Sequence, residues 1–151
     1  MRTLFLFLGL AALSLNAGCS YLPTRVSERF EPAPAQERVL SQERARVYAA
    51  VEQTVERMRF RLARTAEAQG VVLGRSQIVS NEAFAEKIQY EIEVNVREFG
   101  PTETKVYVWV REQIEGGLTT EGVSIKSLRT HGLYDTFFAT LEQVLKEPAA
   151  P

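Results

Sequence analysis

One cysteine, one histidine, one tryptophan and a single aspartate, Asp135, occur among the 151 residues. A lone cysteine closes no intramolecular disulfide, and with one histidine beside it the chain cannot build a Cys/His zinc cluster. Charge of one sign is lacking too: 18 Lys and Arg face 19 Asp and Glu, so nothing draws the protein in bulk onto a nucleic-acid backbone. There is no glycine-rich phosphate loop, since Gly116-Gly117 reads as a turn, and no internal repeat. Long hydrophobic runs are absent as well: Leu4 to Leu15 is interrupted by Gly9 and Ser14 and falls short of the roughly 20 residues a helix needs to cross a bilayer. What is present, 45% hydrophobic and 25% charged residues, suits one modest domain with appendages.

The first appendage is an export signal. Met1 and Arg2 give a short positive start, the apolar run follows, and Asn16-Ala17-Gly18-Cys19 ends it. Ala17-Gly18-Cys19 resembles the lipobox of bacterial lipoproteins, with Asn16 where that family prefers Leu. The resemblance implies cleavage before Cys19, a diacylglyceryl group on its sulfur and acylation, and with Ser20 next, sorting to the outer membrane. Each buried methylene of such an anchor contributes about 0.8 kcal/mol, so two or more chains hold a water-soluble domain on a membrane. The competing reading is ordinary cleavage after Ala17, which leaves a free thiol and a soluble periplasmic protein.

Residues 1–18 are thus expected as a lipoprotein signal peptide, 19–39 as a flexible tether marked by Pro23, Pro32 and Pro34, 40–147 as an α/β domain and 148–151 as a disordered tail. From Ser41 to Gln69, Val47, Val51, Val55, Met58 and Leu62 recur at helical spacing, with Ser41 as cap and Gly70 as stop. A strand broken by Gly74 is expected over Val71 to Val79. Lys87 to Glu98 alternates strictly, with Ile88, Tyr90, Ile92, Val94 and Val96 on one side. Past the Gly100-Pro101-Thr102 turn, Val106, Val108, Val110 and Ile114 continue that side in an antiparallel partner strand. The segment 118–130 reads as a short edge strand or an ordered loop. Leu133 to Leu145 forms a second amphipathic helix capped by Thr130. The expected fold is α+β: a two-layer sandwich of α-β-β-β-α order, with a three-stranded (or four-stranded) antiparallel sheet and both helices on one face. That order resembles the small domains of Gram-negative envelope lipoproteins of uncharacterised function, and more loosely compact lipoproteins that accompany outer-membrane assembly machinery. It implies a periplasm-facing accessory domain and carries over no functional residues.

Chemistry-bearing constellations are sparse. His131, beside Thr130 and Gly132, has no nucleophile motif near it and reads as a residue close to a helix cap. Glu91 and Glu93 lie on a watery strand face that would raise neither pKa. Arg46, Arg57, Arg61 and Arg64 form a stripe on the expected first helix, read as a solvated face, and Phe60 projects from its polar side. Tyr107 and Trp109 stand out: two large aromatics, two residues apart, on the outward side of a sheet that a two-layer fold leaves uncovered. Together with Arg97 and Arg111 they are the candidate partner-binding residues. The competing account has the aromatics packing on Arg97, Arg111 and the linker to stabilise the hairpin.

The reading is a non-enzymatic, membrane-anchored accessory lipoprotein, without cofactor or metal, that binds an envelope protein through its open sheet face. A lipid or small-ligand carrier with a cavity between helices and sheet is the alternative, and an envelope hydrolase using His131 the third.

Overall fold

A computed structural model describes residues 33–81, 86–116 and 122–148. The segment expected as signal peptide, Cys19 and the expected tether up to residue 32 lie outside the described residues, as does the expected tail beyond Pro148. The elements run β1 (Gln36–Leu40), α1 (Arg44–Arg57), β2 (Arg61–Ala66), a 3-10 turn (Glu67–Gln69), β3 (Val71–Arg75), β4 (Val79–Asn81), β5 (Glu86–Gly100), β6 (Glu103–Gly116), β7 (Val123–Leu128) and α2 (Gly132–Lys146). All seven strands join one antiparallel sheet of order β1-β6-β5-β3-β2, with β4 also on β5 and β7 also on β6.

The expected α-β-β-β-α order and three- or four-stranded sheet are therefore incorrect. Two segments account for most of the difference. Gln36–Leu40, at the end of the stretch expected as tether, pairs with Thr104–Val108 as β1. The helix expected from Ser41 to Gln69 stops at Arg57. Phe60 N–H donates to Val55 O at 3.1 Å and Arg59 N–H to Glu56 O at 2.8 Å, the paired bonds of a Schellman closure. Phe60, expected on a polar helix face, is instead buried at 7% exposure in the core. The chain then reverses into β2, a strand of mostly exposed residues in which Leu62 packs on the core. One inward side chain every few residues fits helix and edge strand alike, so periodicity could not separate them. The supposed arginine stripe is divided accordingly: Arg46 and Arg57 stay on α1, whereas Arg61 and Arg64 belong to β2.

The centre of the sheet follows the alternation read from sequence. β5 and β6 pair from Glu86 opposite Gly116 to Gly100 opposite Glu103. Their inward residues Ile92, Val94, Val96, Val106, Val108 and Val110 join Val72 from β3, Val47, Val51 and Val55 from α1, and Tyr134, Phe137 and Leu141 from α2 in one cluster. Burial of each large apolar side chain contributes about 1.5–3 kcal/mol. Gly74 lets α1 approach: a Cβ there would stand 2.5 Å from Val55 Cγ1. Gly70, at φ 70°, lets the chain leave the 3-10 turn, and a Cβ would meet Val96 O at 2.1 Å.

Neither helix is capped as expected. Glu43 precedes α1 and makes no side-chain cap bond, leaving Ser41 outside the cap. At α2 the cap is His131 in place of Thr130, its Nδ1 accepting from Leu133 N–H at 3.2 Å. No helix among the described residues is long and apolar enough to cross a membrane.

Candidate functional site

Strand alternation sends one set of side chains to the helices and the other to a face that no element covers among the described residues. Cα register arranges this second set in rows. One row runs Arg61, Arg75, Glu91, Arg111 and Ser127 across five strands. Beside it stand Leu73, Glu93 and Trp109, then Val71, Asn95, Tyr107 and Glu37, then Arg97, Lys105 and Val39.

Tyr107 and Trp109 stack, with ring centroids 6.3 Å apart and planes inclined by 18°. Tyr107 is held from two directions. The Arg97 guanidinium lies 5.4 Å and the Lys105 ammonium 5.3 Å from its ring centroid, both within the reach of cation–π attraction. Arg97 Nε also donates to Asn95 Oδ1 at 2.9 Å. Lys105 pairs with Glu37 on β1 at 2.8 Å, and that hydrogen bond raises its pKa.

Arg111 shares the face but is committed elsewhere. It meets Glu91 at 3.0 Å and Glu93 at 2.7 Å. Burial lowers its pKa, the hydrogen bonds to Glu93 and Glu91 raise it, and the carboxylates prevail. Of the four candidates the structure thus brings Tyr107, Trp109 and Arg97 together and sets Arg111 in a neighbouring ion-pair row. Cys19 lies outside the described residues.

Sequence reasoning missed Glu37 and Phe99. Glu37 belongs to a strand that was read as tether. Phe99, 60% exposed, lies 5.6 Å from the Lys105 ammonium at a register shift between Glu98 and Gly100, where simple alternation no longer reports the face.

His131 has two structural employments: the α2 cap, and contact with the Tyr90 ring at 5.3 Å between centroids. The Tyr90 hydroxyl donates to Glu112 Oε1 at 3.0 Å, and burial together with that bond raises its pKa. Among the described residues no three His, Cys, Asp or Glu side chains are grouped to hold a metal ion.

No protein-family model matches the chain, and no curated protein matches it. A crystal structure of a DUF4468 family protein from Bacteroides ovatus is similar over 78% of this chain and 89% of that one, at 14% identity and a TM-score of 0.43. The likeness transfers neither residues nor activity.

Proposed function

We propose that the protein is a non-enzymatic, lipid-anchored accessory protein of the Gram-negative envelope, bound to the outer membrane through Cys19 and facing the periplasm, whose uncovered sheet face docks an envelope protein. The stacked Tyr107–Trp109 pair carries this reading. A Tyr107 ring held by Arg97 and Lys105, with Trp109 stacked on it, offers large contact area at little further cost in side-chain ordering, the profile of an interface anchor. The address rests on the Ala17-Gly18-Cys19 pattern at the end of the apolar leader. The carrier alternative needs space between helices and sheet, and that layer is filled by Val47, Val51, Val55, Phe137 and Leu141, each 0% exposed.

The test is expression in a Gram-negative host of the wild type, Cys19→Ala and Trp109→Ala, read by intact mass, membrane fractionation and photocrosslinking from position 107. A lipid-bearing N-terminus at Cys19, outer-membrane partition lost in Cys19→Ala, and a defined protein adduct lost in Trp109→Ala with an unchanged melting temperature are expected. An unmodified chain in the soluble fraction removes the anchor. An adduct that persists in Trp109→Ala, or a variant that unfolds, removes the docking face.

A further inference from the structure

At the end of the sheet remote from β1, the α1–β2 junction and the β3–β4 link enclose an open pocket of ≈830 Å³, within the range of about 300–1,000 Å³ common for ligand sites. Arg59, Arg61 and Arg75 line it, with Phe60 and Ile78 as apolar surface. Three features set these arginines apart from a solvated basic patch.

Arg59 has φ 63°, making it the one non-glycine residue in the left-handed region among those described. It occupies the position after a helix where glycine fits without strain. Arg61 and Arg75 are direct antiparallel partners, and like charges placed opposite one another are unfavourable. Compensation is thin as well. Arg75 pairs with Glu91 at 3.0 Å, but the other oxygen of Glu91 is held by Arg111. Arg59 and Arg61 have no ion-pair partner among the described residues. Like-charge pairing and uncompensated charge converge on one concavity, beside a backbone position where the chain carries Arg59 at the cost of strain, and a bound anion relieves the two electrostatic costs.

We infer that this pocket binds a phosphomonoester group through Arg59, Arg61 and Arg75. Two uncompensated guanidinium charges match the roughly −1.5 to −2 charge of such a group at neutral pH, and the planar guanidinium fork matches its oxygens. Ile78 at 56% exposure on the pocket wall and Val79 at 61% beside it suit an ester with an apolar portion. The ester is either a lipid headgroup or a soluble compound; the chemistry recognised is the same. The site lies at the β2–β3 margin of the same uncovered face and uses none of that face's aromatic residues.

The full chain carrying Cys19→Ala, so that no acyl anchor contributes, is held in neutral detergent and titrated in two arms. One uses inorganic phosphate, and the other uses micelles doped with phosphatidic acid or, at equal mole fraction, with the phosphodiester phosphatidylglycerol. Saturable binding in the phosphate arm identifies a soluble source, and binding of phosphatidic acid over phosphatidylglycerol a lipid source; either supports the site. Arg61→Gln weakens it about tenfold, the loss of one charge-assisted contact. Arg59→Gly weakens binding while raising the melting temperature by a few degrees, since it removes the strained residue. Trp109→Ala leaves binding unchanged, which separates failure here from failure of the docking face. No saturation up to millimolar phosphate and in neither micelle, equal binding of the two lipids without phosphate binding, or affinity untouched by both arginine substitutions overturns the assignment.

Discussion

Tyr134 closes a break in the sheet. Along one edge of β6, β1 and β7 lie end to end, with Gln36 opposite Val108 and Leu128 opposite Val110. At the junction the Tyr134 hydroxyl accepts from Val110 N–H at 3.0 Å and donates to Leu128 O at 2.7 Å. The side chain is 1% exposed, so water cannot stand in for it. Tyr134→Phe should cost about 1–3 kcal/mol, the penalty for leaving a buried backbone donor unpaired. Denaturant unfolding measures it, and a loss below about 0.5 kcal/mol would show that the ladder re-forms without the hydroxyl.

Elements differ in how much of themselves they reveal in sequence, and the reason is the number of inward side chains each one spends. β5 and β6 repeat their alternation along many residues, and α2 presents Tyr134, Phe137, Phe138, Leu141 and Val144 to the core, so all three are legible. β1 and β2 are edge strands; β2 packs Leu62 against the core, and an exposed strand of Arg, Ala and Thr carries no period to detect. Tyr107 and Trp109 could be found because they sit on a legible strand. Arg59, Arg61 and Arg75 could not be assembled, because the first two were read as helix. α1 and α2 are also tied at their C-terminal ends by Arg57 and Glu147, with Arg57 Nη1 donating to Glu147 Oε1 at 2.7 Å. That hydrogen bond holds the Glu147 carboxyl below its ordinary pKa. A carboxylate with a lowered folded-state pKa stabilises above its unfolded pKa, and the contribution fades as pH falls through the folded one. The melting temperature of the wild type should therefore exceed that of Glu147→Gln slightly at neutral pH and low salt. The gap should close below the carboxylate range and shrink with added salt, as expected of an exposed pair. A gap that persists in acid would assign the effect to packing.

Across the whole molecule the helices cover only part of the sheet. The inward residues Ile92, Val94 and Val96 of β5 and Val106, Val108 and Val110 of β6 are buried beneath them, whereas Ile88, Tyr90 and Ile114 are half-buried and Val123 and Ile125 on β7 are exposed. Local opening free energy follows apolar contact density more than the presence of hydrogen bonds. Hydrogen exchange should accordingly be slow at Ile92, Val94 and Val108 and faster at Ile88 and Ile114, in the same continuous hairpin. Uniform protection along β5 would mean that the sheet opens as a unit.

The pairing of β1 with β6 also bears on the order in which the chain takes shape. Synthesis delivers the N-terminal residues first. Gln36–Leu40 can find its partner Thr104–Val108 only after β2 to β5 have emerged. Until then an unpaired strand with Val39 and Leu40 waits beside an α1 whose apolar face has no sheet to cover. The earliest part of the domain to appear is thus among the last to be locked, and it is the part that any escorting chaperone would meet.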